Sequence, residues 1–155
     1  NIDGVQHTYL DEEDVSGLIR TNEISKGASD ISAIPAVRIK LAQYQRDIAH
    51  ASDVVMDGRE IGSYVIPECE HKFYVTASVD ERARRRLKEL RERGQDMNKT
   101  VEEMAAEIAQ RDHNDSTREF APLKRVPDAI LVDTTDLTIE EAVAAVMNGI
   151  NREER

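Results

Sequence analysis

The chain alternates between short apolar runs, which favour buried strands, and longer stretches with apolar residues every three or four positions, which favour amphipathic helices. The predicted strands are Val5–Leu10, Val54–Met56, His71–Thr76 and Ile130–Val132. The predicted helices begin near Thr21, Pro35, Ser78, Thr100 and Thr138. Short apolar strands that alternate with helices are typical of an α/β fold with a sheet that is parallel at its centre.

Helix boundaries are marked by residues that cap helix ends. A Ser or Thr followed three residues later by Glu has the spacing of a capping box. Such boxes occur at Ser78–Glu81, Thr100–Glu103 and Thr138–Glu141. Pro35 suits the first turn of a helix, and Gly94 suits the end of the helix that follows Ser78. The charged stretch 82–118 is therefore predicted to form a helical flap.

Composition and charge restrict the class of protein. At 155 residues with 39% hydrophobic and 34% charged residues, the chain has the composition of one ordinary folded domain. The net charge of −10 argues against broad nucleic-acid binding, and no apolar run approaches membrane-spanning length. Cys69 is the single cysteine, so we expect a reducing, cytoplasmic setting. The four histidines show no metal-ligand spacing, and no metal site is predicted.

A pattern of arginines around a carboxylate carries the main chemical signal. If the stretch 111–118 is helical, Arg111, Asp115 and Arg118 share one face. Guanidinium groups match phosphate oxygens, and a carboxylate between them can accept hydrogen bonds from sugar hydroxyls. With Arg59 in the segment Asp57–Gly62, this pattern predicts a cavity for a phosphorylated sugar such as a nucleotide. The alternative is that these are solvated charges of helices and loops.

The flap contains four arginines within five residues, at positions 82, 84, 85 and 86. Arg82 and Arg86 share a helical face, so they can bring positive charge over a polyphosphate and exclude water. Phosphoryl transfer depends mainly on such positioning and charge neutralisation. The alternative is a solvated face whose arginines are balanced by neighbouring Asp and Glu residues.

Several segments, in a fixed order, resemble one known family. They are Glu13–Ser16, Ile19–Thr21, Ile34–Arg38, Asp57–Arg59, Thr76–Ser78, Glu81–Arg86, Arg111–Arg118, Ala121–Leu123 and Asp133–Thr135. Together they resemble the bacterial cytidylate kinases, which are nucleoside monophosphate kinases, over essentially the whole chain. The resemblance implies a P-loop-kinase-like parallel sheet flanked by helices, truncated at its N-terminal side, with a helical lid. It implies one domain, in which 1–53 belong to the monophosphate-binding region, 54–81 and 119–155 to the core, and 82–118 to the lid and acceptor-phosphate segment.

The resemblance also implies roles for individual residues. The residues that would contact the cytosine ring are Ser29, Arg38 and Glu60. The residues that would hold the monophosphate are Arg59, Arg111 and Arg118, and Asp115 would take a ribose hydroxyl. The residues implied in catalysis are Arg111 and the lid residues Arg82 and Arg86, which would meet the phosphates of the donor.

The implied reaction transfers the γ-phosphoryl group of ATP to CMP or dCMP with Mg²⁺, in a protein that is monomeric when intact. Two alternatives stay open: a related kinase with another small-molecule acceptor, or a non-catalytic nucleotide-binding or interaction module. A charged helical scaffold that binds no nucleotide is a third. An acceptor panel and calorimetry with CMP and ATP distinguish these cases.

The chain departs from the family pattern at two places. Glu60 stands where the family has aspartate, and its extra methylene pushes the carboxylate outward. None of the seven glycines begins the glycine-rich phosphate-binding loop with its lysine. The chain starts at Asn1, which corresponds to the interior of the family's monophosphate-binding region, so we expect the C-terminal portion of a longer kinase. We expect the isolated chain to be inactive, and poorly stable or prone to associate.

Overall fold

The computed structural model describes Gly4 and residues 7–20, 22–32, 34–94 and 98–153. The chain divides into two compact units, Asn1–Ile48 and Ala49–Arg155. The predicted α/β class is confirmed, because helices flank a parallel pair of strands in the second unit. None of the described helices has the length and apolar content needed to cross a lipid bilayer.

The first unit begins with a small antiparallel hairpin. Its strands are β1 (Tyr9–Leu10) and β2 (Glu13–Asp14), joined by Asp11 and Glu12 at φ 47° and 74°. Two adjacent residues with positive φ are typical of the tight turns that suit the twist of a hairpin. The strand predicted over Val5–Leu10 is therefore shorter, and Val5 lies outside the described residues. The sequence pattern gave no sign of β2.

Helices complete the first unit. A 3-10 helix spans Leu18–Arg20, α1 spans Asn22–Ser32, and α2 spans Pro35–Ala51, with its last residues in the second unit. The helices predicted to begin near Thr21 and Pro35 correspond to α1 and α2. Of the described residues of α2, only Ala42 is buried.

The described residues of the second unit form the parallel strands, a π-helix and three complete α-helices. The π-helix spans Ile61–Val65, β3 spans Phe73–Thr76, α3 spans Val79–Glu92, α4 spans Val101–Thr117, β4 spans Ile130–Asp133, and α5 spans Ile139–Glu153. β3 pairs with β4 in parallel, from Phe73 opposite Ile130 to Thr76 opposite Asp133. The carboxyl ends of both strands therefore lie at one edge of the sheet.

The predicted helix starts agree with the observed caps. The Ser78 side chain accepts a hydrogen bond from the Glu81 backbone NH at 3.2 Å. At Thr100 and Thr138 the box is reciprocal, because the Glu three residues on also accepts from the backbone NH of the capping residue. Gly94 has φ 71° just after the end of α3, in the left-handed region that favours glycine. The starts of these helices were therefore predictable from the capping residues next to them.

The strand predicted at Val54–Met56 is wrong. These residues are irregular in the structure, Val54 is exposed, and Val55 is fully exposed. A strand requires a hydrogen-bonding neighbour, and no described segment pairs with this run. Its apolar character therefore does not give it a sheet position within the described part of the chain.

The hydrophobic core of the second unit includes the contact between α3 and α4. Ala83, Leu87 and Leu90 of α3 pack with Met104 of α4, and all four are buried. Within the stretch 82–118, predicted as a helical flap, the described helices α3 and α4 are therefore packed against each other. Asp115 and Arg118, at the end of α4, contact the segment before the π-helix.

Candidate functional site

Opposite charges from two separate segments meet in the second unit. Arg59 and Glu60 directly precede the π-helix, and Asp115 and Arg118 lie at the end of α4. Arg59 forms an ion pair with Asp115, and Arg118 forms ion pairs with both Glu60 and Asp115. We call these four residues the arginine–carboxylate cluster.

Arg118 joins the parts of this cluster. Its Nη2 donates to Oε2 of Glu60 at 3.1 Å, and its Nη1 donates to Oδ1 of Asp115 at 3.4 Å. Its Nε donates to the carbonyl oxygen of Ala121 at 2.7 Å, where the backbone has φ 45°. Only 17% of the Arg118 side chain is exposed. Three separate backbone segments therefore depend on one guanidinium group.

The shared helical face predicted for residues 111–118 is only partly correct. α4 ends at Thr117, and Arg118 caps it with extended backbone at φ −61° and ψ 143°. Arg118 therefore reaches Asp115, three residues earlier, from just outside the helix rather than from a helical position. Arg111 and Asp115 remain one turn apart within α4, as predicted.

Arg111 differs from the other arginines of the predicted site. It is exposed, and it makes no hydrogen bond or ion pair with any residue that the structure describes. Because it lies one turn before Asp115, its guanidinium group can approach the cluster when an anion is present. Arg59 and Arg118 therefore both contact Asp115, whereas Arg111 has no partner in the described part of the chain. The predicted binding of a phosphate by these three arginines stays a prediction.

A π-helix positions Arg59 and Glu60. The carbonyl oxygen of Glu60 accepts hydrogen bonds from the backbone NH groups of Tyr64 at 2.8 Å and Val65 at 3.1 Å. Ile61 and Val65 are buried, so this turn is fixed by packing as well as by hydrogen bonds. π-Turns of this kind are rare and occur frequently at functional sites.

A second contact joins the π-helix to the loop that follows α4. The ring of Tyr64 packs edge-on against Phe120, with centroids 4.9 Å apart. Phe120 lies between Arg118 and Ala121, so the aromatic pair and the Glu60–Arg118 ion pair connect the same two segments. Sequence reasoning missed both aromatic residues, because nothing in the linear pattern indicates that they are neighbours.

Lys72 supports the π-helix from the side of the sheet. Its side chain is buried, its Nζ forms an ion pair with Asp128, and its stem packs beside Gly62. The hydrogen bond to Asp128 raises the pKa of Lys72, and the same bond lowers the pKa of Asp128. The backbone oxygen of Lys72 also accepts from the NH of Ile130 at 2.8 Å, which ties the support to β4.

One oxygen in the cluster has an unfilled hydrogen-bonding capacity. Oδ2 of Asp115 is buried and accepts no hydrogen bond of normal geometry from the described residues, although Arg59 lies in ion-pair contact with it. Its charge is compensated by the Arg59 guanidinium group, so the carboxylate is ion-paired without a well-directed hydrogen bond at Oδ2.

The lid arginines are engaged elsewhere in the unit. Arg82 forms a two-pronged pair with Asp112, at 3.1 Å and 2.6 Å, and donates to the carbonyl oxygen of Ala77 at 3.1 Å. The hydrogen bond to Asp112 raises the pKa of Arg82. Arg86 is exposed and pairs with Glu89 on its own helix at 2.8 Å. Arg82 thus links the segment after β3 to α3 and α4, whereas Arg86 lies on the solvent side of α3.

The predicted base-contacting residues are divided between the two units. Ser29 lies in α1, and its side chain is outside what the structure describes. Arg38 lies in the first turn of α2 and is half-buried. Glu60 belongs to the second unit, where its longer side chain reaches Arg118.

Two other features of the described residues bear on ligand binding. A groove of about 570 Å³ lies beside the parallel strands and α5 and has mostly apolar walls, including Val75, Val132 and Met147. None of the cluster residues lines it. No three His, Cys, Asp or Glu side chains in the described ranges are grouped to hold a metal ion.

Comparisons with known proteins show which family this chain is similar to. The family model for cytidylate kinase matches residues 3–152. A cytidylate kinase from Caldicellulosiruptor bescii is 46% identical over 146 residues, which cover 94% of this chain and 64% of that protein. A cytidylate kinase from Carboxydothermus hydrogenoformans is 48% identical over 147 residues, which cover 95% of this chain and 65% of that protein. The chain thus spans slightly less than two thirds of the length of these relatives.

Proposed function

The chain belongs to the cytidylate kinase family, and on this premise we propose that its arginine–carboxylate cluster binds an acceptor nucleotide, CMP or dCMP. The proposal rests on one observation: the guanidinium groups of Arg59 and Arg118 contact the partly buried carboxylates of Glu60 and Asp115. Guanidinium groups match the oxygens of a phosphate ester, and carboxylates match hydroxyl and amino donors of a nucleoside. One small ligand with both kinds of group fits this set.

In this proposal, each charged residue contacts one part of the acceptor. Arg59, Arg111 and Arg118 hold the monophosphate. Asp115 accepts a hydrogen bond from a ribose hydroxyl, which requires its carboxylate to turn away from Arg59. Glu60 contacts the cytosine ring, and the roles of Ser29 and Arg38 in base recognition stay predictions from the sequence.

The proposed reaction is the transfer of a phosphoryl group from ATP to the bound monophosphate. An oxygen of the acceptor phosphate attacks the γ-phosphorus of ATP in line, the bond to the β-phosphate oxygen breaks, and ADP leaves. This step needs no protein nucleophile, only positioning and neutralisation of negative charge. Arg111 beside the cluster and the lid residues Arg82 and Arg86 would neutralise that charge. Both lid residues would have to exchange their present partners, Asp112 and Glu89, for phosphate oxygens.

Magnesium enters this proposal with ATP. Mg²⁺ is commonly held by substrate phosphates together with one or two carboxylates, so a kinase does not require a dedicated cage of protein ligands. The residues of this chain would bind the nucleotides, orient the acceptor and exclude water around it.

We further propose that residues 1–155 by themselves do not phosphorylate CMP at an appreciable rate. They contain no glycine-rich loop followed by lysine, which would cradle the donor phosphates. Monomeric state and cytoplasmic location remain predictions.

Calorimetric titration of the chain with CMP, dCMP, UMP and ATP tests the proposed acceptor site. Binding of CMP or dCMP in preference to UMP supports it. Preference for another monophosphate would favour a related kinase, and no binding of any nucleotide would favour a charged scaffold. A coupled ATP/CMP assay on the same chain tests the proposed inactivity, which ordinary turnover would refute.

A further inference from the structure

The arginine–carboxylate cluster is internally neutral. Two positive and two negative side chains pair with one another: Arg59 with Asp115, and Arg118 with Glu60 and Asp115. The carboxylates are mostly withdrawn from solvent, since the side chains of Glu60 and Asp115 are 24% and 18% exposed. Each carboxylate is therefore paired with at least one arginine of the cluster.

The proposed function assigns these same groups to two different parts of the ligand. The arginines are to hold the phosphate, and the carboxylates are to hold the base and the ribose. In this structure the arginines and the carboxylates are already paired with each other. Arg118 in particular uses its Nε and both terminal nitrogens on protein acceptors.

A nucleoside without phosphate therefore meets a site whose acceptors are already engaged. If Glu60 and Asp115 turn toward the base and the sugar, they leave Arg59 and Arg118 without their counter-charges. Removing one partner from a mostly buried charge pair is costly, because the other charge stays desolvated and unpaired. A phosphate group removes that cost, since it replaces the carboxylates on both arginines.

We infer that phosphate and nucleoside binding at this cluster are positively coupled: an anion takes over Arg59 and Arg118, and Glu60 and Asp115 are thereby released to recognise the base and the ribose. The inference rests on the proposed function. Its consequence is specificity for the phosphorylated substrate, because the nucleoside is recognised well only when a phosphate is present. Glu60 transmits this coupling, because its ion pair with Arg118 connects a group proposed to bind the base to a group proposed to bind the phosphate.

Two features of the cluster favour an exchange of partners. The contact of Arg59 with Asp115 is close but poorly directed, because Oδ2 accepts no hydrogen bond of normal geometry from the described residues. The Arg59 side chain is also 39% exposed, so an incoming anion can reach it from solvent. By contrast, Arg118 keeps its hydrogen bond to the backbone of Ala121. That bond does not involve a carboxylate and can hold the guanidinium group in place while its other partners change.

The test is a titration of the 155-residue chain with cytidine, in which binding is measured from NMR chemical shifts or by calorimetry. One series contains saturating inorganic phosphate, and the other contains potassium chloride at the same ionic strength. We expect phosphate to lower the Kd of cytidine by about 5-fold or more, at the lower end of typical coupling between sites. Because coupling is reciprocal, cytidine should tighten phosphate binding by the same factor. An unchanged or raised Kd for cytidine in phosphate would overturn the inference.

Two variants identify the residue that carries the coupling. Glu60→Gln keeps the side-chain length but removes the charge that neutralises Arg118, so we expect the phosphate effect on cytidine to shrink toward 1-fold. Glu119→Gln is the matched control, because Glu119 is exposed, neighbours Arg118 in sequence and carries the same charge. It should retain the wild-type effect. Wild-type coupling in Glu60→Gln, or its loss in Glu119→Gln, would refute the assignment.

A CMP titration of the same samples separates this inference from the proposed function. If CMP binds while phosphate leaves the affinity for cytidine unchanged, the coupling is refuted and the acceptor site stands. If CMP does not bind at all, both the acceptor site and the coupling are refuted. Thermal unfolding of each variant shows whether the protein remains folded during the titrations.

Discussion

Replacing Arg118 with alanine removes a guanidinium group that joins the π-helix, the end of α4 and the loop at Ala121. The variant loses hydrogen bonds to two carboxylates and to one carbonyl oxygen. It also leaves Glu60 and Asp115, at 24% and 18% exposure, short of one positive charge. We therefore expect lower stability as well as weaker CMP binding.

The size of the stability loss can be bounded. Hydrogen bonds to charged groups contribute about 1.5–3 kcal/mol, and breaking a buried pair costs about 3–5 kcal/mol. Arg59 remains near Asp115 and solvent reaches part of the cluster, so the lower part of this range applies. We expect Arg118→Ala to reduce the free energy of unfolding by about 2–3 kcal/mol. For a chain of this size that is a fall in Tm of about 5–10 °C.

Arg111→Ala is the matched comparison, because it removes the same side chain from an exposed position without a partner among the described residues. We expect it to change stability by about 0.5 kcal/mol or less, while it weakens CMP binding. Denaturant unfolding and CMP calorimetry on both variants measure these quantities separately. If Arg111→Ala is as destabilising as Arg118→Ala, the division between a structural and a purely ligand-binding arginine is wrong.

Three further predictions follow from local contacts. Lys72→Ala removes the stem beside Gly62, so we expect thermal unfolding to show a loss of about 1–2 kcal/mol and calorimetry to show weaker CMP binding. Asp128→Asn keeps that stem and should bind CMP normally. Equal losses of CMP affinity in both variants would contradict the packing role of Lys72. Hydrogen bonds from Ser16, then His7, lower the pKa of Asp14 to about 2. Because this pKa is depressed in the folded state, its stabilising effect is present above pH 4 or so and is lost as pH falls toward 2; NMR titration should show an Asp14 pKa that rises in Ser16→Ala, and an unchanged value would count against the hydrogen bonds as the cause. Thr100→Ala removes a helix cap and should cost about 1 kcal/mol in denaturant unfolding, whereas no loss would show that α4 does not depend on its capping box.

Features that depend on local chemistry were predicted from the sequence. The starts of α3, α4 and α5 follow from side chains that satisfy nearby backbone NH groups, and the end of α3 follows from the conformational freedom of Gly94. The parallel pairing of β3 with β4 follows from apolar strands separated by helices. In the same way, Arg111 and Asp115 lie one turn apart because both belong to one helix.

Features that depend on distant contacts were not predicted. The apolar run Val54–Met56 satisfies the local pattern of a strand, but no described neighbour pairs with it. The π-helix depends on how the backbone closes onto the carbonyl oxygen of Glu60 and packs against Lys72. Arg82 was expected to be available as a lid residue, and its pairing with Asp112 arises from the packing of α3 on α4. These contacts join residues that no periodicity connects.

The most direct measurement follows the side-chain Nε–H signals of the arginines by NMR while CMP is added to the labelled chain. Binding of the monophosphate by the cluster predicts large shifts for Arg59, Arg111 and Arg118. Arg125, which donates to the carbonyl oxygen of Ala129 outside the cluster, should show little change. If CMP leaves the first three signals unmoved, or shifts Arg125 as much as them, the phosphate is not held where we propose.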